Sequence, residues 1–136
     1  MDEVTLSPLR RIFHPKGDIH HVMKKTDQGY DGFGEAYLTS IFRDEIKGWK
    51  KHKFMTLNLT VILGTVLFYV YDEDKQHTYV YDIGQNNNQR LTIPCGYWVA
   101  FKGLTLKENV ILNIANIEHD PNESINVPIE TYPLDY

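Results

Sequence analysis

Ile46-Lys-Gly-Trp-Lys-Lys-His-Lys-Phe-Met-Thr-Leu-Asn-Leu-Thr-Val-Ile-Leu-Gly-Thr-Val-Leu-Phe-Tyr-Val-Tyr-Asp72 is the stretch that decides the fold. From Met55 to Leu63 the odd positions are Met, Leu, Leu, Val and Leu, against Thr56, Asn58, Thr60 and Ile62. That period of two, rich in β-branched residues, predicts a strand with one polar face. Thr65 to Tyr71 is apolar after its first residue, which suits a strand covered on both sides. A tight turn at Gly64 is expected to join the two as a hairpin. Ahead of them lies a basic segment with one histidine, Lys47 to Lys53.

Outward from this stretch the same grammar continues. Arg10–Phe13 and Ile19–Lys25 are expected as short strands around the turn signal His14-Pro-Lys-Gly17, and Glu35–Arg43 as a longer one. Downstream, His77–Ile83, Arg90–Ile93, Tyr97–Phe101 and Asn109–Ile117 read as strands, with Pro94-Cys-Gly96 as a turn. No window of 12 residues has convincing helical periodicity. Short strands at near-regular spacing predict an all-β sandwich or barrel. At 136 residues the chain is expected to form a single domain over 1–136, with a loose N-terminal arm (about 1–9) and an extended C-terminal tail (about 119–136).

Composition narrows the function. A net charge of -4 disfavours a general nucleic-acid binder, although the local basic cluster suits a small anionic ligand. No apolar run approaches the roughly 20 residues of a membrane span, and the acidic start lacks the order of a secretory signal, so a cytoplasmic protein is expected. The single cysteine, Cys95, excludes an internal disulfide and a Cys-rich zinc site, and is read as a small buried hydrophobe. The six histidines are scattered, without HxH or HxxxH spacing.

The chemistry concentrates at the basic segment. If the strand phase of Met55–Leu63 runs backwards, Lys50, His52, Thr56, Asn58 and Thr60 share one face. At the mouth of a barrel, a lysine there holds a phosphate or polarises a carbonyl and a neutral imidazole accepts a proton. The competing reading has the lysines blunting a strand end, with His52 on the surface.

Four pieces in order then resemble a known family: Gly34-Glu-Ala-Tyr37; Ile46–Lys53 with Met55-Thr-Leu-Asn-Leu59; Arg90-Leu-Thr-Ile-Pro-Cys-Gly-Tyr-Trp-Val-Ala-Phe101; and Leu112-Asn-Ile-Ala-Asn-Ile-Glu-His-Asp-Pro121. The chain resembles the cupin-type dTDP-4-dehydrorhamnose 3,5-epimerase family, especially its short members. The resemblance implies a jelly-roll barrel, a homodimer, no metal and no cofactor, and a nucleotide-sugar ligand of the dTDP-4-keto-6-deoxy type. It implies proton abstraction α to the ketone by a histidine, a lysine at the enolate oxygen and a tyrosine as acid, in surface-polysaccharide sugar synthesis.

Carried onto this sequence, the family's basic-Gly-aromatic-His motif reads Lys47-Gly-Trp-Lys50, so lysine stands where the base histidine is expected and His52 lies two residues on. The family's next lysine falls at Leu57 or Asn58, and its late-strand tyrosines at Asn113 and His119. The last histidine of the metal-cupin PxGxxH pattern falls at Val99. The implied catalytic set is His52 as base, Lys50 as oxyanion partner and His119 or a tyrosine as acid. Lys47, Lys53, Asn58, Tyr71 and Asn113 are the implied substrate-binding residues. The alternative is a cupin that binds a nucleotide sugar without turning it over.

Overall fold

The computed structural model describes residues 2–134. It is a jelly-roll sandwich of two five-stranded sheets. The first sheet runs in the order β1 (Thr5–Pro8), β9 (Gln89–Ile93), β6 (Leu57–Leu63), β11 (Glu108–Ala115), β4 (Glu35–Phe42). The second runs β12 (Ser124–Asn126), β5 (Ile46–His52), β10 (Trp98–Gly103), β7 (Thr65–Asp72), β8 (His77–Gly84). The described neighbour pairs within both sheets are antiparallel. A separate pair, β2 (Arg11–Ile12) with β3 (Ile19–His20), is all that forms of the two expected N-terminal strands. Helix is limited, among the described residues, to two 3-10 turns, Pro121–Glu123 and Ile129–Thr131.

The core lies between the sheets and follows from strand alternation. Leu57, Leu59 and Val61 of β6 with Ile111 of β11 face Val66, Phe68 and Val70 of β7 and Val99 of β10, all buried. The unbroken apolar run of β7 needs cover on both sides. Its other face, Leu67, Tyr69 and Tyr71, joins Trp49 and Trp98 in a second apolar cluster outside the sheet, roofed by Val127, Ile129, Tyr132 and Leu134. The C-terminal tail is therefore a packed strap, and at the other end residues 5–8 of the expected arm are a sheet strand.

Gly64 does not turn a hairpin. β6 and β7 belong to opposite sheets, and Gly64 is the corner between them. Its φ of 82° favours glycine, and a Cβ there would come within 2.1 Å of Asn109 Oδ1. Asn109 fastens this corner, accepting from Thr65 N (3.0 Å) and Thr105 N (3.2 Å) and donating to Ile41 O (3.1 Å).

Candidate functional site

A cavity of about 330 Å³ opens between the sheets, lined by Lys47, Gly48, Lys50, His52 and Asn126 on one side and Tyr37, Thr39 and Asn113 on the other. Its apolar wall includes Leu57, Leu59, Phe68, Val99, Phe101 and Ile111. A mostly apolar cleft with a few convergent polar groups is the usual form of a small-molecule site.

The alternation of β5 explains how the basic residues reach it. Lys50 and His52, two apart, point inward, while Trp49 and Lys51 point to the outer face. Lys47 joins them because the ladder to β10 slips: Phe101 pairs with Lys47 but Val99 pairs with Lys50. The extra residue of this bulge rephases the strand, so positions three apart share a face. Gly48 sits in the bulge with φ 144°, where an added Cβ would lie 2.5 Å from Ala100 Cβ.

His52 is 9% exposed, and its Nδ1 is hydrogen-bonded to Glu123 Oε1. Glu123 Oε2 accepts from the backbone N–H groups of Phe54 and Met55, both at 3.1 Å. Glu123 itself is 3% exposed, at the end of the 3-10 turn that Asp120 caps. Burial works to raise its pKa, but the bonds from His52, Phe54 and Met55 outweigh it and hold the carboxyl below its ordinary value of 4.5. An ionised carboxylate only accepts, so Nδ1 of His52 carries the proton that it receives, and Nε2 is the ring nitrogen outside this pair.

Across the cavity, Asn113 is 2% exposed; its Nδ2 donates to Tyr37 Oη at 3.0 Å, and its Oδ1 accepts from Asn58 N at 3.0 Å. Burial pushes the Tyr37 phenol above its ordinary 10.0, assisted by the Glu35 and Glu123 carboxylates and opposed by the Asn113 bond. Tyr37 is therefore a protonated hydroxyl at neutral pH. Lys50 Nζ has no hydrogen bond or ion pair among the described residues, whereas Lys47 Nζ donates to Ser40 O at 2.7 Å. No group of three His, Cys, Asp or Glu side chains able to hold a metal occurs among the described residues.

Of the residues singled out in the sequence, Lys47, Lys50, His52 and Asn113 meet at this cavity. Four do not. Asn58 is buried on the opposite face of β6, where its Oδ1 accepts from Thr92 Oγ1 (2.6 Å) and Arg90 Nε (3.3 Å). The chain crosses between sheets at 53–56, so the phase of β5 does not carry into β6, and Leu57 and Leu59 face the cavity instead. Thr56 and Thr60 go with Asn58, bonding to Asp31 Oδ2 and Gln89 O. Lys53 is exposed and donates to Asn122 O at 3.2 Å. Tyr71 lies on the outer face, stacked on Tyr132 at 4.1 Å. His119 is exposed on the segment after β11, its backbone N–H donating to Glu35 Oε1, and it does not line the cavity.

Glu123 and Tyr37 are the residues that sequence reasoning missed. Tyr37 lies in a quoted family segment and pairs directly with Asn113 across β4 and β11. Glu123 lies 71 positions from His52, in the tail, and no local pattern marks it.

No family model matches this sequence, and no curated protein matches it. Solved structures do. A dTDP sugar isomerase from Desulfovibrio desulfuricans G20 superposes with a TM-score of 0.88 at 25% identity, over 94% of this chain and 85% of that one. QdtA, a sugar 3,4-ketoisomerase from Thermoanaerobacterium thermosaccharolyticum crystallised with TDP, gives 0.77 at 20% identity, over 90% and 86%. The 3,5-epimerase RmlC from Legionella pneumophila, in complex with dTDP-4-keto-L-rhamnose, gives 0.84 at 12% identity, over 99% and 81%. The chain has the jelly-roll fold of the cupin dTDP-sugar epimerases and isomerases. The family resemblance read from its sequence holds in three dimensions.

Proposed function

We propose that this protein is a sugar-nucleotide epimerase or isomerase acting on a dTDP-4-keto-6-deoxy sugar, and within that class a 3,5-epimerase-like enzyme. The observation that carries the reading is the His52–Glu123 pair opening into a cavity that also holds Lys50 and Tyr37. His52 Nε2 removes the proton α to the C4 ketone. Glu123 holds the imidazole in the required tautomer and stabilises the imidazolium that forms. Lys50, a cavity cation with no partner among the described residues, stabilises the enolate oxygen. Tyr37, rather than His119, returns a proton, its hydroxyl oriented by Asn113. Lys47 adds positive potential for the diphosphate.

On this reading lysine at the expected histidine position moves the base by two residues along one strand face without removing it. The single domain works as a cytoplasmic homodimer in the synthesis of surface-polysaccharide sugars. Binding without catalysis would leave the ionised Glu123 on the far side of His52 with no task beyond structure, and the catalytic reading is favoured for that reason.

The test is incubation with a dTDP-4-keto-6-deoxy sugar in heavy water, followed by mass spectrometry. Two deuterons per sugar are expected for a 3,5-epimerase. One deuteron would keep the isomerase class but replace the 3,5 assignment. Saturable binding with no exchange, beside an active control enzyme, would overturn the enzymatic reading.

A further inference from the structure

The outer face of the second sheet carries an aromatic box that the chemistry above does not use. Trp49, fully buried, donates from Nε1 to Ile129 O at 2.9 Å, and its backbone exchanges two hydrogen bonds with Val127 (3.2 and 3.1 Å). Tyr132 sits among three rings: Tyr71 stacked at 4.1 Å, Trp98 at 5.4 Å and Trp49 edge-on at 5.8 Å. Thr78 Oγ1 holds the far end by donating to Pro133 O at 2.7 Å.

Between this anchor and the site the connection is short. β12 pairs with β5 over three residues, Ser124 opposite His52, Ile125 opposite Lys51 and Asn126 opposite Lys50. Glu123 precedes it, its carbonyl accepting from Lys53 N at 2.8 Å. A three-residue edge strand is weak on its own. The aromatic contacts of the strap bury apolar surface at its C-terminal end and hold it in register.

We infer that the C-terminal strap is a positioning element for the proposed base: Tyr132, seated in the Trp49–Tyr71–Trp98 box, holds β12 in register and so holds Glu123 against His52. The inference rests on the proposed role of His52. Trp49 and His52 lie on opposite faces of one strand, so a single strand couples the strap outside the sheet to the cavity inside it. None of the three rings that Tyr132 packs against lines the cavity, and it acts through Glu123.

The experiment records the His52 imidazole by ¹⁵N-resolved NMR, together with solvent deuterium exchange into the sugar. It uses the full chain as wild type, Tyr132→Ala, Tyr132→Phe, Glu123→Gln and the double variant Tyr132→Ala/Glu123→Gln. Wild type should hold a protonated Nδ1 with a downfield proton signal. Tyr132→Ala should lose that signal and slow exchange about 10-fold or more, while Tyr132→Phe, which keeps the ring, restores both. In the double variant, Tyr132→Ala should cost nothing beyond Glu123→Gln, because both break the same link.

An unchanged His52 signal in Tyr132→Ala, or a full additional loss in the double variant, would overturn the inference. Should the wild type exchange no proton, the proposed reaction fails and the NMR comparison still decides the positioning role. If Tyr132→Ala does not fold, Tyr132→Leu, which keeps apolar volume but not the stack, carries the same comparison.

Discussion

Replacing Glu123 by two different residues separates what it does for stability from what it does for chemistry. Its carboxylate accepts three hydrogen bonds in a site 3% exposed, from His52 Nδ1 and from the N–H groups of Phe54 and Met55. Hydrogen bonds to a charged group are worth about 1.5–3 kcal/mol each, and an orphaned buried donor costs about 1–3 kcal/mol. Glu123→Ala removes all three bonds and strands the N–H of Met55, a residue 1% exposed. A loss of roughly 3–5 kcal/mol is expected, as for breaking a buried pair from one side.

Glu123→Gln behaves differently. Its amide oxygen still accepts from Phe54 and Met55, so the stability loss should be only about 1–2 kcal/mol. Its NH2 then donates to His52 Nδ1, which moves the imidazole proton to Nε2 and removes the lone pair that the proposed reaction uses. Exchange of the α proton should fall on the order of 100-fold or more, while dTDP affinity stays near wild type. Urea unfolding gives the first quantity and deuterium incorporation the second. A Gln variant that folds normally and exchanges within about threefold of wild type would refute the assignment of Glu123 as the partner of a catalytic base.

Other outcomes follow from the same contacts. Tyr37→Phe should retain exchange at the α carbon but lower product formation by about 100-fold, read as washed-in deuterium in unepimerised substrate. Lys50→Met should lower turnover on the order of 100-fold through loss of oxyanion stabilisation, with far smaller effect on folding; equal losses in dTDP binding would instead make it a ligand anchor. Because Glu123 titrates below its unfolded value of 4.5, its ionised form stabilises the fold at pH above that value. That contribution should disappear as pH falls through the folded pKa, and the acid limb of a stability–pH curve should flatten in Glu123→Gln. Asn109→Ala should cost roughly 3 kcal/mol or more in urea unfolding, since it frees the buried Gly64 corner from its bonds to Thr65, Thr105 and Ile41.

The fold was legible because β-sheet patterning is a short-range signal. The alternation of Leu57, Leu59 and Val61, and the two-sided apolar run through β7, depend only on which faces are covered. Phase across a break is different. The bulge at Gly48–Trp49 brings Lys47 into the cavity, and the crossing at 53–56 sends Asn58 out of it; neither leaves a mark in residue spacing. Gly64 looked like a hairpin because a glycine between two strands suits a corner between sheets equally well. The His52–Glu123 pair was invisible for a further reason: it joins positions 71 apart, where the tail packs back over the sheet.

The most direct test of the account is deuterium exchange into a dTDP-4-keto-6-deoxy sugar, measured on wild type and His52→Asn side by side. The account predicts exchange by wild type and a loss of roughly 100-fold or more in the variant, with dTDP binding retained. Equal exchange by both proteins would contradict it, because the base would then have to lie elsewhere than His52.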